Sequence, residues 1–307
     1  KDGRFHSGQA LGAALGVSRS AVWKQLQHLE SDLNLSIHKV RGRGYQLAAP
    51  LELLEQEQLD SSPWPVLIHH SLDSTNAEAL RAIDSGAAAP FVVTAERQTA
   101  GRGRRGRKWV SPFAENIYYS LVLRMDGGMR QLEGLSLVVG LAVLSALRAV
   151  GLSDAGLKWP NDVLVGNKKI AGILLELVGD PADVCHVVLG IGINVNMRLA
   201  SEVDQAWTSV FLESGRLVNR NTLISRLNDS LLMYLKRHAA EGFAAIQAEW
   251  EQNHLWQGRE VSLIAGVHQV DGTVMGIDQQ GALRMSVNGE VKVYSGGELS
   301  LRLRHDS

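Results

Sequence analysis

At 307 residues, with 45% hydrophobic and 21% charged side chains, the chain has the make-up of a globular protein with room for one large core and one or two small modules. Its single cysteine, Cys185, excludes an intramolecular disulfide framework and a multi-cysteine metal site, and a reducing compartment, the cytoplasm, is expected. The balance of 31 basic against 32 acidic residues argues against indiscriminate nucleic-acid affinity. The first fifty residues nevertheless hold seven cations (Lys1, Arg4, Arg19, Lys24, Lys39, Arg41, Arg43) against three acids, net +4 where the remainder is −5, so a local anionic partner is possible there.

In chain order, Gln9 to Leu15 carry a short helical pattern stopped by Gly16, and Ser18 stands where an N-cap opens a second helix. In that helix Val22, Leu26 and Leu29 form the inward stripe, which leaves Arg19, Ser20, Trp23, Lys24 and Gln27 on other faces. Ile37 to Leu47 reads as two strands around the tip Arg41-Gly42-Arg43, the shape of a wing. Residues 50–65, acidic and bounded by prolines, predict a linker with a helical turn or two.

Strands are expected at Val66–His70, Phe91–Glu96, Ile117–Arg124, Asp162–Val165, Ile170–Val178 and Val184–Val195, with helices near Asn76–Asp84 and Ser136–Val150, which makes a mixed α+β sheet. Gly166-Asn167 marks a tight hairpin. The most apolar stretch, Leu135–Leu147, is broken by Ser136, Gly140 and Ser145 and is shorter than the roughly 20 residues a bilayer crossing takes, so it predicts a buried helix and no membrane partner. No charged leader with an apolar run opens the chain, hence no secretion signal is expected. Asn221 is expected to cap a helix reaching Ala240, and another follows from Phe243 to about Asn253. After Trp256 short alternating strands and turn signals predict a small β-barrel-like cap.

Four segments stand out chemically. Gly101-Arg102-Gly103-Arg104-Arg105-Gly106-Arg107-Lys108-Trp109 holds five cations and three glycines in nine residues. It matches G-x-G-x-x-G by letter, but Ser111-Pro112 forbids the helix that a dinucleotide fold needs, and no Gly-Lys-Ser/Thr follows for a phosphate loop of the Walker type. What remains is a flexible loop whose guanidinium groups and backbone N–H groups can close over a polyanion, with a solvated basic loop as the alternative; the neighbouring Trp109 weighs against the latter, because an indole is costly to leave wet. Asp73-Ser74-Thr75-Asn76 ends a strand and opens a helix, with Thr75 and Glu78 at capping-box spacing; the hydroxyls either cap or face a polar ligand. Lys158-Trp159-Pro160-Asn161-Asp162 gathers cation, indole, amide and carboxylate at a strand end stiffened by proline. Of Lys168 and Lys169 only one can face the covered side of a sheet, and a buried ammonium there needs an anion. Finally, Gly190-Ile191-Gly192 bares one face of a strand, for something flat or for a close-packed helix. Cys185 reads as a small buried hydrophobe, and no His-x-x-x-His or Glu-x-x-His suggests a transition-metal site.

Ser74-Thr75-Asn76, Gln98, the glycine-arginine loop, Lys158 to Asp162, Lys169-Ile170-Ala171-Gly172-Ile173-Leu174 and Gly192-Ile193-Asn194 together resemble the bifunctional biotin protein ligase and biotin operon repressor family over nearly the whole chain. The resemblance implies a winged helix-turn-helix (1–49), a linker (50–65), a mixed-sheet catalytic domain (66–255) and an SH3-like β-barrel (256–307). It implies that biotin attacks the α-phosphate of ATP and that a lysine of the biotin carboxyl carrier protein of acetyl-CoA carboxylase then attacks the mixed anhydride. Such chemistry asks for cations and backbone donors rather than a nucleophile. By similarity Ser74, Thr75, Asn76 and Gln98 hold biotin's polar groups, Arg102, Gly103 and Arg104 close over the biotinyl phosphate, Lys169 binds the carboxylate or bridging oxygen, and Gly190 and Gly192 accept the ring. Lys169, Arg102 and Arg104 are the expected catalytic residues. Arg105, Arg107, Lys158, Asn161, Asp162, Asn194 and Trp207 fall to the nucleotide, with Asp162 positioning Mg²⁺ and Trp207 shelving adenine.

The family further implies a homodimer formed on binding biotinyl-AMP that presents two winged heads to a palindromic operator, with Ser18, Arg19, Ser20, Lys24, Arg41 and Arg43 at the DNA. Few residues precede the first helix where the family has another, so a head lacking part of its core and weakened DNA affinity are expected. A lipoate protein ligase would share the adenylation logic without the head. A repressor that only senses biotin would have no use for the arginine loop together with Lys169.

Overall fold

The computed structural model describes residues 2–126, 128, 131–180, 182–296 and 299–304; Lys1, counted in the basic head, and 305–307, the end of the expected barrel, lie outside them. The chain divides into two compact units, 1–53 with 112–114, and 54–111 with 115–307.

In the first unit, helix α1 (Gly8–Leu15) is capped by Ser7 and ends on Gly16 in the left-handed region, φ 68°, and α2 (Arg19–Leu33) is capped by Ser18, whose Oγ accepts from the Ala21 N–H at 3.2 Å. A Cβ on Gly12 would come within 2.6 Å of the Val17 carbonyl, so glycine is required where the turn folds back on α1. Strands β1 (Ile37–Val40) and β2 (Gly44–Leu47) pair antiparallel and complete a helix-turn-helix with a wing. The predicted stripe is graded: Val22 is buried, while Leu26 and Leu29 line an open cavity of about 360 Å³ with Leu11 and Ile37. No described element of the unit fills that cavity, which is why Leu29 stays 37% exposed.

In the second unit, α3 (Gln56–Leu59) leads to β3 (Val66–His69), α4 (Thr75–Asp84), β4 (Phe91–Ala95), β5 (Ile117–Met125), α5 (Leu135–Ala149), β6 (Ala155–Lys158), β7 (Asp162–Val165), β8 (Lys168–Gly179) and β9 (Cys185–Ile193). They form a seven-stranded sheet in the order β3-β4-β5-β9-β8-β7-β6. Only β3 and β4 run parallel, with α4 as the crossover, so the sheet is mixed. The predicted buried helix is α5: eleven of its fifteen residues are buried, which leaves no solvated face and places it inside the core. After the short α6 (Val210–Ser214), helix α7 (Arg220–Glu241) packs on α5 and buries Leu223, Leu227 and Leu231, one stripe at four-residue spacing. Among the described residues no helix is long and apolar enough to cross a membrane.

Several sequence expectations change. The α7 cap is Asn219, whose Oδ1 accepts from Thr222 N–H at 2.9 Å; Asn221 is buried and instead accepts from the Glu55 N–H. The segment after Phe243 is a 3₁₀ turn (Phe243–Ala245) followed by α8 (Gln247–Gln252) rather than one helix. Strand β6 was not anticipated, because Ala-Gly-Leu-Lys is too short and too bare to signal an edge strand. Residues Leu54, Leu59 and Trp64 of the acidic stretch are buried in the core. The last strands, β10 (Glu260–Ala265), β11 (His268–Ile277), β12 (Leu283–Val287), β13 (Glu290–Tyr294) and β14 (Leu299–Leu303), make an antiparallel sheet ordered β13-β12-β11-β10-β14. Its ends β13 and β14 pair with β12 and β10 and not with each other, so among the described residues the sheet is open and antiparallel where a small SH3-like β-barrel was expected.

Among the described residues of this unit two charges are fully enclosed. Glu96 and Arg220, each 1% exposed, approach to 2.7 Å, a charge contact off the hydrogen-bond line. Glu96 Oε1 takes the Leu54 N–H, and Arg220 donates to the Asn116 carbonyl.

Candidate active site

A cavity of about 300 Å³ opens where the glycine-arginine loop, the α4 N-terminus, strands β7 to β9 and β14 converge. Its floor is a chain of polar groups. Ser74 is the N-cap of α4 without making a side-chain cap bond, and Thr75, the residue expected to open a capping box, turns its N–H and Oγ1 to Gln98 Oε1 (2.8 and 3.2 Å). Glu78, the other half of that box, pairs with Arg81 instead. Ser120 Oγ reaches Thr75 Oγ1 at 2.8 Å and Asn76 Oδ1 at 2.6 Å. Thr75, Asn76 and Ser120 are buried yet hydrogen-bonded side chains and Ser74 is buried beside them, an arrangement more apt for a polar ligand than for capping a helix.

One wall is cationic. Gly166-Asn167 makes the two-residue turn between β7 and β8. One extra residue in β8, between the partners of Val163 and Leu164, forms a bulge beside the site. Lys168 points out to Glu213, whereas Lys169, 16% exposed, sets its ammonium 2.6 Å from Asp162 Oδ1. Asp162 also meets Lys158 at 3.5 Å. Burial alone would raise the Asp162 carboxyl, but Lys169 and then Lys158 outweigh it and hold it below the usual carboxylate range. Burial pulls the Lys158 ammonium below its ordinary value against the attraction of Asp162. The inward lysine thus has the anion that its burial demands.

The loop forms the roof and carries hydrogen bonds of its own. Arg102 and Lys108 are bridged, Trp109 N–H donates to Gly101 O (2.9 Å), and Gly103 N–H to Arg107 O (2.7 Å) around a turn at Arg104–Gly106. Arg104 donates to Asn161 Oδ1 at 2.9 Å and to the Leu299 carbonyl at 3.2 Å, while Arg102 lies 3.4 Å from Glu176. Arg105 and Arg107 are exposed on the loop and border the cavity.

The bare face of β9 is used. A Cβ on Gly190 would stand 2.4 Å from Asn76 Oδ1, and one on Gly192 2.5 Å from the Trp109 indole, so the flat group against Gly192 here is the chain's own tryptophan. The Lys169 ammonium lies 5.4 Å from that ring, and Trp109 Nε1 is buried with no hydrogen-bond partner.

Of the residues expected at the ligands, Ser74, Thr75, Asn76, Gln98, Arg102, Gly103, Arg104, Arg105, Arg107, Lys158, Asn161, Asp162, Lys169, Gly190 and Gly192 all border this one cavity. Two expected nucleotide residues stand outside its wall. Asn194 is 5% exposed and spends its amide on the Thr208 carbonyl, while Trp207 sits beside Lys169 in a backbone bridge, beyond the loop 202–205 that reaches the cavity. Glu176, Ser120 and Trp109 were not assigned to the site from sequence; only Trp109, next to the cationic loop, carried a readable signal. Among the described residues no cluster of three or more His, Cys, Asp or Glu could hold a metal.

In the head, Arg19, Ser20 and Lys24 are exposed at the start of α2, with Ser18 as cap, its Oγ 2.9 Å from that of Ser20. Arg41 and Arg43 are exposed at the wing tip, where Arg43 packs over Phe5 at 4.5 Å.

A mixed sheet with a cationic pocket roofed by a glycine-arginine loop matches what the comparisons give: the chain belongs to the biotin/lipoate A/B protein ligase family, whose model matches residues 69–194, and residues 1–46 match an HTH domain. It is 41% identical over 307 residues to the bifunctional ligase/repressor BirA of Escherichia coli (strain K12), covering 98% of this chain and 94% of that one. To the bifunctional ligase/repressor BirA of Bacillus subtilis (strain 168) it is 33% identical over 304 residues, 95% of this chain and 92% of that one. Among solved structures, a biotin protein ligase from Aquifex aeolicus in complex with biotin and ATP superposes with a TM-score of 0.69 at 30% identity, covering 78% of this chain and 99% of that one.

Proposed function

We propose that this chain adenylates biotin with ATP and passes the biotinyl group to a lysine of the biotin carboxyl carrier protein of acetyl-CoA carboxylase, and that as a biotinyl-AMP-bound homodimer in the cytoplasm it represses transcription of biotin synthesis genes. The observation that carries the enzymatic half is the paired placement of Lys169 and the loop arginines around one cavity with a buried polar floor. Two anions, a carboxylate and a triphosphate, repel each other in water; fixed ammonium and guanidinium groups offset that repulsion without reorganising during the reaction.

In the first step a biotin carboxylate oxygen bonds to the α-phosphorus, and the bond from that phosphorus to the leaving pyrophosphate breaks. Lys169 holds the attacking carboxylate, Arg102 and Arg104 with Gly103 between them cover the phosphoryl oxygens, and Ser74, Thr75, Asn76 and Gln98 hold the ureido ring beside Gly190 and Gly192, whose bare faces Asn76 and Trp109 occupy. Arg105, Arg107, Lys158 and Asn161 serve the nucleotide, with Asn194 bracing the Thr208 segment and Trp207, next to that segment, on the adenine side. In the second step the acceptor amine attacks the acyl carbon, AMP departs with the bonding electron pair, and the amine sheds a proton. Mg²⁺ neutralises phosphate charge when bound. Asp162, the low-pKa carboxylate on the cavity wall and also the counter-ion of Lys169 and Lys158, is the residue that would hold it.

The domain division is 1–49 for DNA, 50–65 as a connecting segment that packs Leu54, Leu59 and Trp64 into the core, 66–255 for catalysis and 256–307 as a small SH3-like cap with an open sheet. Ser18, Arg19, Ser20 and Lys24 enter the major groove while Arg41 and Arg43 reach the backbone, as the exposure of these groups on α2 and the wing supports. The test is to mix the chain with biotin, Mg-ATP and a carrier domain and weigh the carrier: it gains one biotinyl group, and only with ATP. An unmodified carrier, with no biotin-dependent exchange of pyrophosphate into ATP, refutes the assignment.

A further inference from the structure

Glu176, on β8, touches both halves of the cavity. Its Oε2 accepts from Asn76 Nδ2 at 2.6 Å on the floor and lies 3.4 Å from Arg102 Nη2 of the roof. Resting on the assignment of biotin to this cavity, we infer that Glu176 is a positioning residue that sets the acceptor face of Asn76 for a ureido N–H and latches the arginine loop.

The argument begins with the amide. The two ends of a buried Asn have nearly the same shape, so its orientation is chosen by its partners. Ser120 Oγ donates to Oδ1 at 2.6 Å, but a hydroxyl can equally accept, so Ser120 alone does not choose. A carboxylate only accepts. Opposite Glu176 the amide must present Nδ2, which the Leu174 carbonyl at 3.5 Å favours as well, and Oδ1 is turned to Ser120 and to Gly190 of the cavity wall. Oδ1 keeps a second lone pair beyond Ser120, and a urea ring needs an acceptor for each N–H. At 3% exposure Asn76 has little water to replace a lost partner.

The roof contact is of a different kind. The Arg102 and Glu176 side chains are 46% and 27% exposed, so the pair is screened and weak. That weakness suits a latch: it holds Arg102 near the cavity without competing strongly against an incoming carboxylate or phosphate, to which guanidinium binds with two parallel hydrogen bonds.

Glu176→Gln keeps the shape, removes the charge and restores a group that can either donate or accept. Calorimetry on the full chain should show biotin Kd raised about tenfold, the loss of one well-aligned buried hydrogen bond. The KM for ATP and the melting temperature should stay at wild-type values, and trypsin should cut the ligand-free loop about two- to fivefold faster. Glu176→Met, which keeps length at a half-buried site but leaves Asn76 Nδ2 without its buried acceptor, should raise biotin Kd and spare the ATP KM in the same way, with a melting temperature lowered by about 2–8 °C. An unchanged biotin Kd in folded variants overturns the inference, as does an equal loss in biotin affinity, ATP KM and melting temperature, which would mark a merely structural residue. Wild-type protein that binds no biotin refutes the assignment of the cavity itself, a distinct result.

Discussion

Replacing Lys169 by methionine keeps the aliphatic stem that crosses Gly172 and removes only the ammonium 2.6 Å from Asp162. Two effects separate in size. Stripping one partner from a fully buried pair costs about 3–5 kcal/mol, but here both side chains retain some exposure, 16% and 13%, and Lys158 remains 3.5 Å from the same carboxylate, so about 1–2 kcal/mol of stability is the expected loss. For a unit of this size that lowers the melting temperature by roughly 2–8 °C, leaving the variant folded at 25 °C. The catalytic loss is larger, because a fixed positive group aimed at charge that develops in the transition state is worth about 10²–10³ in rate. Biotin-dependent exchange of labelled pyrophosphate into ATP reads the first step alone. Transfer from preformed biotinyl-AMP to the carrier bypasses that step and should fall less. A folded variant that exchanges within about threefold of wild type refutes the role given to Lys169.

Arg220→Met should lower the stability of the second unit by about 3–5 kcal/mol, since Glu96 keeps its buried charge with no guanidinium beside it; adding Glu96→Leu should recover a large part of the loss in denaturant melts. Burial pushes His254 down to about 4, so the fold binds it neutral while the unfolded chain protonates near 6.5. Stability is therefore complete above pH 6.5 and declines by about 3 kcal/mol as the pH falls toward 4; His254→Gln should flatten that part of the pH profile, and an unchanged slope would reject the cause. In the head, Lys24→Ala should weaken binding to operator and unrelated DNA alike and reduce the steepness of the salt dependence by about one ion, measured by anisotropy across a salt series.

The chemistry was readable wherever residue type itself restricts function. Five cations on a glycine-rich loop admit few uses, and the loop does roof a cavity. Adjacent Lys168 and Lys169 had to diverge, and they do, toward Glu213 and Asp162. Caps were read one turn of logic too locally. Thr75 and Glu78 have capping-box spacing, but Gln98, 23 residues away, offered Thr75 a buried partner, and a nearby pattern cannot reveal a distant competitor.

The amino-acid order by itself determined the helix-turn-helix with its wing, the mixed sheet and the identity of the cationic loop, because these follow from periodicity, turn chemistry and local charge. Only the tertiary structure decided what faces what. Glu176 against Asn76, Trp109 against Gly192 and the enclosed Glu96–Arg220 pair all join residues far apart in the chain. Their strength comes from burial, and burial is a property of the packed whole that no stretch of sequence carries alone.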